Sequence, residues 1–200
     1  MIIVLKKVGL VGVALGVIVT ASGLFLPSKT VVVRSITIQA PVQTVVYLVG
    51  HLPEHEKWSP WKAFDPTVKN TYSNPSHGVG ASMTWHGEKI KTGSMTITDM
   101  REPQLSVAEL DFGANGKAQS AWTFQPSDNG VNVTWSYEAD NGNNPLKRYV
   151  ALFFIKRKIS EAFELGLTNL KHVSEQVAES QQSETHHIPD MIPTHFGVSN

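Results

Sequence analysis

The acidic side chains that could act as catalytic acids or bases do not form a set in this sequence. Asp99, Glu109 and Asp111 are the candidates on predicted strands. Glu109 and Asp111 alternate with Leu110 and Phe112, and strand side chains alternate between faces, so both carboxylates should face solvent. Asp99 has the parity that points inward but lies at a strand end. None has a base or nucleophile beside it in the pattern, so no catalytic residue is predicted.

The histidines could instead bind a metal ion. His51 and His55 have the four-residue spacing that places two ligands on one helix face, but Pro53 lies between them and interrupts a continuous helix. His77 and His86 fall at loop or outward positions. The chain contains no cysteine, so it has no thiolate ligands. We therefore predict no metal site and no cofactor.

A set of aromatic and methionine side chains on one strand parity is the strongest chemical feature of the sequence. The set consists, with its aliphatic neighbours, of Met83, Trp85, Met95, Ile97, Leu110, Phe112, Trp122, Phe124, Trp135 and Tyr137. On one face of a sheet, such residues form either a packed core or an apolar pocket with polar indole N–H and phenol O–H tips. The two interpretations are compatible, because an inner part can pack while an outer part stays open.

Two tryptophans and one glycine indicate how a pocket on this face would be closed and how closely a helix would approach it. Trp58 and Trp61 bracket Ser59-Pro60 in a connecting segment. They act either as a plug that seals the core or as a gate over a pocket, and a plug is favoured. Gly166 lies on the apolar stripe of a predicted helix, together with Phe163, where glycine costs about 1 kcal/mol relative to alanine. The close approach of a strand or a ligand is the expected reason.

Basic residues offer two further sites for an anionic group. Arg34 has the inward parity of Ile36 and Ile38, so it is either buried with a carboxylate or anionic ligand, or exposed at its strand end, which is favoured. A cluster in the first half of a predicted helix comprises Lys147, Arg148, Lys156, Arg157 and Lys158. A solvated helix face explains this cluster more simply than contact with anionic lipid headgroups. Because 17 basic and 17 acidic residues cancel, no net charge attracts nucleic acid.

Hydrophobic periodicity and turn residues predict the elements that position these side chains. Period-two alternation along Val31–Ile38 predicts a first strand, and Ala40-Pro41 opens a short helix with an apolar stripe. A second short helix or turn begins at Pro53. Six strands separated by turn residues then follow, at Val68–Tyr72, Ala81–Trp85, Ser94–Met100, Leu105–Phe112, Lys117–Gln125 and Val131–Glu138.

A long helix completes the pattern after the turn at Asn141–Pro145 and continues to about Ala178. There is no βαβ alternation, so we predict an α+β fold in which a curved antiparallel sheet wraps around this C-terminal helix. The domain is predicted to span residues 30–178. Residues 179–200 are polar and aperiodic and are predicted to form a flexible tail.

An apolar segment precedes the predicted domain. Val8–Leu26 contains nineteen residues without a charge, about the length of a single transmembrane helix, which favours an uncleaved signal anchor over a cleaved signal peptide. Lys6 and Lys7 would keep residues 1–7 in the cytoplasm and place the domain on the periplasmic, extracytoplasmic side. Gly12 and Gly16 form a G-x-x-x-G pair, but glycine is common in membrane helices, so the oligomeric state stays open.

Several stretches resemble the START-like, or SRPBCC, superfamily, and more narrowly its bacterial polyketide cyclase/dehydrase-like members with an N-terminal membrane helix. These stretches are Arg34–Pro41, Trp58–Trp61, Gly93–Thr98, Val133–Trp135 and Phe163–Lys171. The resemblance implies the helix-grip fold of START and Bet v 1-type proteins, with a cavity between the sheet and the C-terminal helix. It does not imply one reaction, because the superfamily includes carriers, receptors, cochaperones and a minority of enzymes.

On this basis we predict a membrane-tethered domain that binds, and could transfer, an apolar small molecule or lipid. The predicted ligand-binding residues are Trp58, Trp61, Met83, Trp85, Met95, Phe112, Trp122, Trp135, Tyr137, Phe163 and Gly166. Two alternatives stay open. One is a cyclase or dehydratase that uses a polar residue in the cavity, such as Asp99 or Tyr137. The other is an interaction module whose cavity is packed shut.

Overall fold

The computed structural model describes residues 16–185, which fold around one antiparallel sheet. Its seven strands have the spatial order β1-β7-β6-β5-β4-β3-β2, so the first strand pairs with the last. The strands are β1 (Lys29–Ile38), β2 (Lys69–Tyr72), β3 (Ser82–Gly87), β4 (Lys91–Arg101), β5 (Leu105–Asp111), β6 (Lys117–Ser127) and β7 (Gly130–Asp140). The prediction of one strand followed by a run of six is confirmed.

Short helices fill the connection between β1 and β2. They are α1 (Val42–Gly50), a 3-10 turn (Leu52–Glu54), α2 (His55–Trp58) and α3 (Trp61–Phe64). Pro53 lies near the start of the 3-10 turn, where its missing N–H leaves no helical hydrogen bond unmade. This segment is therefore folded back over one end of the sheet as a series of short turns.

The C-terminal helical region runs from α4 (Pro145–Val150) through a π-helical turn (Ala151–Ile155) into α5 (Lys156–Thr185). Asn144 caps its start, because the Asn144 side chain accepts hydrogen bonds from the backbone N–H groups of the first turn at 3.0 and 3.3 Å. The predicted helix end near Ala178 was wrong, because the helix continues to Thr185. The added residues are polar but include good helix formers. Residues 186–200 of the predicted tail lie outside the described residues.

The pairing of β1 with β7 determines which side chains face the helix. Ile38 pairs with Val131, Ile36 with Val133 and Arg34 with Trp135, so these residues share the inner face of the sheet. α5 lies across this face and buries Phe163, Leu167 and Leu170 against it. The core therefore lies between the sheet and α5, as the strand parity predicts.

A β-bulge in β4 changes the face on which Asp99 lies. Ile97 pairs with Ala108 on the inner face, but the register shifts and Asp99 pairs with Val107, which has the opposite parity. An extra residue at a bulge reverses the alternation beyond it. The predicted inward parity of Asp99 was therefore wrong.

Residues 16–24 are helical, and their end is fixed to the start of the C-terminal helical region. The buried Arg148 guanidinium donates hydrogen bonds to the carbonyl oxygens of Leu24 at 2.7 Å and Leu26 at 3.1 Å. The interpretation of Arg148 as part of a solvated face was wrong, because its charge satisfies carbonyls at a helix end.

Within residues 16–185 no helix combines the length and hydropathy needed to cross a bilayer. Residues 8–15 of the predicted anchor lie outside the described residues.

Candidate functional site

A cavity of about 180 Å³ lies between the inner face of the sheet and α5. Ten of the predicted ligand-binding residues line it: Trp58, Trp61, Met83, Trp85, Met95, Phe112, Trp122, Trp135, Tyr137 and Phe163. Aliphatic surface is added to the lining by Leu110, Ile90 and Ile159. The structure thus brings together side chains from α2, α3, strands β2 to β7 and α5, and most of the lining is apolar.

Gly166 does not line the cavity, although the sequence assigned it to the ligand-binding set. A Cβ atom at Gly166 would lie 2.9 Å from Cζ3 of Trp135 and 3.0 Å from Cδ of Pro60. The missing side chain therefore lets α5 approach β7 and the segment before α3. The sequence predicted that a strand or a ligand approaches Gly166 closely, and the group that does so is the side chain of Trp135 on β7.

Stacked aromatic rings form the inner wall of the cavity. Phe163 stacks on Trp135 with ring centroids 3.7 Å apart, and Trp135 stacks on Trp122 at 4.3 Å. Trp58 meets the edges of both tryptophans, and its Nε1–H donates to the carbonyl of Leu48 at 2.9 Å. Trp58 is buried and packs on both tryptophans, which is the packing expected of a plug.

Trp61 occupies a different position from Trp58. It is half-buried and lines the cavity, next to the exposed Lys62 and Glu56. The cavity therefore opens on this side. The sequence did not distinguish the two tryptophans, but in the structure Trp58 lies in the core and Trp61 lies at the rim. On the opposite wall, Trp85 meets Phe112 at 5.8 Å, and its ring lies over Gly93.

A pair of hydroxyl groups stands among these apolar side chains. Ser120 and Tyr137 pair across β6 and β7, and both line the cavity. The Ser120 Oγ accepts a hydrogen bond from Trp135 Nε1 at 2.9 Å. Within residues 16–185 the Tyr137 hydroxyl has no hydrogen-bond partner, and burial raises its pKa. Tyr137 therefore presents a neutral phenol that can donate a hydrogen bond into the cavity.

A polar network at the rim was not predicted from the sequence. The Glu56 carboxylate accepts hydrogen bonds from Asn70 at 2.5 Å and from Tyr72 at 2.7 Å, and it pairs with Lys62. Partial burial alone would raise the pKa of Glu56, but these hydrogen bonds hold it below its ordinary value. Asn70 has the parity of Val68 and Tyr72, so the strand pattern could have placed it inward. The contact with Glu56 depends on tertiary structure.

His55 is part of the cavity wall and does not combine with His51 as a metal site. Its Nε2 forms a hydrogen bond with the Val49 carbonyl at 2.8 Å, and burial lowers its pKa to about 4. His51 instead stacks on His77, with ring centroids 4.1 Å apart. Among residues 16–185, no three histidine, aspartate or glutamate side chains gather into a metal-binding group.

A buried carboxylate supports the wall near Ile90. Asp65 accepts hydrogen bonds from the Thr67 hydroxyl at 2.6 Å and from the backbone N–H groups of Lys89 at 2.7 Å and Ile90 at 3.1 Å. The hydrogen bond from Thr67, together with those from the backbone, lowers the pKa of Asp65. Asp65 thus fixes the β3–β4 turn to the end of α3, a role that its position in the sequence did not indicate.

The acidic candidates of the sequence lie away from the cavity. Asp99 binds the Arg101 guanidinium at 2.6 Å, and Glu109 pairs with Lys117 at 2.7 Å. Glu109 is exposed, as predicted. Neither carboxylate, nor Asp111, lines the cavity.

A second hollow, of about 370 Å³, lies between β1 and the C-terminal helical region. It is more open to solvent and is lined partly by Arg34, Lys156 and Arg157. Arg34 is on the inner face yet 40% exposed, and its Nε donates to Glu164 at 2.8 Å. Arg34 thus has the carboxylate partner that one interpretation predicted and the solvent exposure that the other predicted. Because two of the three cations already have carboxylate partners, this hollow is the weaker candidate site.

Comparisons with known proteins agree with this geometry. A sequence profile described as polyketide cyclase / dehydrase and lipid transport matches residues 29–175. No curated protein matches the chain in sequence.

Solved structures share the fold. SA2116 from Staphylococcus aureus, a protein of unknown function, has a TM-score of 0.59 at 10% identity, over 76% of this chain and 96% of that one. The di-domain ARO/CYC StfQ from the steffimycin biosynthetic pathway has a TM-score of 0.54 at 12% identity, over 76% of this chain and 52% of that one. CV1439 from Chromobacterium violaceum has a TM-score of 0.50 at 13% identity, over 73% and 97%. At these identities the likeness shows the fold alone.

Proposed function

The chain belongs to the polyketide cyclase/dehydrase and lipid transport family, and we propose that its domain binds an apolar small molecule or the apolar end of a lipid. The observation that carries the proposal is the cavity between the sheet and α5, with its aromatic wall and two inward hydroxyl groups. Open apolar volume favours a binding role over an interaction module with a packed-shut interior.

The size of the cavity limits what it can enclose. An engineered apolar cavity of about 150 Å³ binds benzene, and pockets for drug-sized ligands are about 300–1,000 Å³. At about 180 Å³, the cavity holds one aromatic ring or a short acyl end. The rest of a larger ligand would extend out of the cavity past the rim at Trp61 and Lys62.

The inward hydroxyl groups specify one polar position on the ligand. Tyr137 is a free donor, and Ser120 holds an O–H group beside it on the floor of the cavity. A ligand that carries a hydroxyl or carbonyl oxygen on its buried end satisfies the phenol. A purely hydrocarbon end would leave this donor without a partner, at a cost of about 1 kcal/mol or more.

We propose in addition that Val8–Leu26 tethers this domain to a membrane, on its extracytoplasmic side. The support is the uncharged length of the segment, with Lys6 and Lys7 before it. A mature N-terminus near Gly23 in cells would instead mean a cleaved signal peptide. A C-terminal reporter that is active only in the cytoplasm would reverse the proposed orientation.

A cyclase or dehydratase is the second candidate function, and Tyr137 is the observation that favours it. Its hydroxyl lines the cavity and can donate a hydrogen bond or a proton to a substrate oxygen, although burial raises the pKa of this phenol and so makes it a weaker acid than a free one. Asp99, the other acid considered, faces away from the cavity. Under this hypothesis Tyr137→Phe abolishes turnover while the bound molecule is retained.

The binding proposal is tested by what the purified full chain carries. We expect native mass spectrometry and solvent extraction to detect a reproducible apolar compound. Leu110→Trp adds bulk inside the cavity and should remove that compound, whereas Glu109→Trp adds the same bulk on the exposed outer face and should retain it. An empty wild-type protein that shows no thermal shift with a panel of apolar ligands would contradict the proposal, and so would equal retention by both variants.

A further inference from the structure

The start of the C-terminal helical region has an unusual composition for a surface. Tyr149–Ile155 is an uninterrupted run of apolar and aromatic residues. Lys147-Arg148 precedes it and Lys156–Lys158 follows it. The run contains the π-helical turn, so its side chains do not keep the single stripe of a regular α-helix.

Much of this run is in solvent. Leu146 is 68% exposed, Phe153 61% and Phe154 63%, and Val150 and Ile155 are exposed as well. Contiguous exposed apolar surface of this kind marks an interaction site, because a monomeric protein otherwise buries it. The core between the sheet and α5 is formed by other residues, so these exposed side chains are not needed to complete it.

The same surface continues onto the end of the N-terminal apolar segment. Leu24 and Phe25 are exposed, and Phe25 is 90% so. The Ser22 hydroxyl and the Tyr149 hydroxyl are 2.7 Å apart, and Gly23 packs against Pro145. With the Arg148 hydrogen bonds, these contacts hold both segments together. We call the joint surface the apolar patch; it consists of Leu24, Phe25, Leu146, Val150, Phe153, Phe154 and Ile155.

Positive charge surrounds the apolar patch. Lys147, Lys156 and Lys158 are exposed, and in the part of the chain that the structure describes none of them forms an ion pair. Arg157 pairs with Glu161 at 2.8 Å and contributes no free charge. Aromatic and aliphatic side chains beside exposed lysines are the composition of surfaces that lie in the headgroup region of anionic bilayers.

We infer that the apolar patch inserts into the headgroup–acyl boundary of an anionic bilayer, with the lysines on lipid phosphates. Two features favour a bilayer over a protein partner: the unpaired charge complements anionic headgroups, and the patch is continuous with the uncharged run Val8–Leu26. The inference concerns the surface and does not depend on what the cavity holds.

Docking through the apolar patch also determines where the cavity lies relative to the bilayer. Ile159, which lines the cavity, follows Ile155 by about one helical turn, or roughly 6 Å along the axis. A domain docked through the patch therefore holds the Ile159 wall of its cavity near the bilayer surface.

The absence of cysteine from the chain allows a direct test. Phe154→Cys and Asp128→Cys each give one labelling site on the full chain. Asp128 lies in the β6–β7 turn, at the other end of β7 from α4, so about 30 Å of strand separates the two ends. Each labelled protein is reconstituted into vesicles of equal parts phosphatidylcholine and phosphatidylglycerol that carry spin-labelled acyl chains.

We expect the acyl-chain spin labels to quench the fluorophore at position 154 severalfold more than the one at 128. Lys156→Glu with Lys158→Glu should reduce that quenching, whereas Lys69→Glu with Lys91→Glu, on the distant β2 and β4, should not. Equal quenching at both positions overturns the inference. Energy transfer between copies labelled at 154, without lipid quenching, also overturns it and assigns the patch to a second copy of the chain. Either failure leaves the ligand assay on the cavity unaffected.

Discussion

The buried imidazole of His55 should make the stability of the domain depend on pH. His55 lies in the cavity wall, bonds to the Val49 carbonyl at 2.8 Å, and packs against Trp58 with ring centroids 4.7 Å apart. Burial lowers its pKa from 6.5 to about 4, so the folded protein holds the neutral form. The unfolded chain takes up a proton at the ordinary pKa.

Proton linkage gives the sign and the size of the effect. The folded pKa is below the unfolded one, so the stability from His55 is complete above about pH 6.5 and is lost as the pH falls toward 4. Each pKa unit corresponds to about 1.4 kcal/mol, so the full loss is about 3 kcal/mol. Between about pH 7.5 and pH 5 the same relation predicts a loss of about 2 kcal/mol.

Urea unfolding of the wild type and His55→Gln at these two pH values measures the effect. Glutamine keeps an N–H donor for Val49 but does not titrate. The other histidines are common to both proteins, so their contributions cancel in the comparison. We expect the wild type to lose about 2 kcal/mol more than the variant on acidification. Equal losses would refute the reasoning, because they would mean that His55 is not held neutral by burial.

Three further predictions concern the cavity floor, the helix packing and the N-terminal contact. Tyr137→Phe should weaken phenol binding about fivefold and strengthen toluene binding, because phenol uses the free hydroxyl whereas toluene leaves it without a partner; calorimetry that finds both ligands weakened equally would contradict this. Gly166→Ala should destabilise the domain by about 1 kcal/mol in urea, since crowding against Trp135 and Pro60 exceeds the gain in helix propensity; a more stable variant would show that α5 can shift away. Arg148→Met should speed limited proteolysis near Leu26, because it removes the donors to the carbonyls there, and Lys147→Met should not; an unchanged cleavage rate would mean that other contacts hold the segment.

The fold could be predicted from the sequence because its signals are local. Period-two alternation places the inward side chains of each strand, and the Pro- and Gly-containing turns separate the strands. Trp122, Trp135 and Phe163 therefore lie where the pattern put them, against one another. The exception is Asp99, because a single extra residue at the bulge reverses the face of everything beyond it in the strand.

The rest of the site depends on contacts between distant segments, which no local pattern contains. Glu56 meets Asn70 and Tyr72 only because α2 folds back over β2. Arg148 is adjacent to exposed lysines in the sequence, but it is buried because two carbonyl groups of the N-terminal segment need a donor. Charge and hydropathy averaged over a cluster cannot separate such a residue from its neighbours.

The pairing of β1 with β7 also governs when the protein can fold during synthesis. Lys29 pairs with Asp140, so the first strand to leave the ribosome waits for the last strand before its ladder can form. Contacts of such large sequence separation slow folding, because the intervening chain must first be ordered. Until then β1 is an unpaired strand with apolar residues on both faces, including the exposed Val31 and Val33. A chain that stops before β7 should therefore aggregate rather than form a smaller stable domain.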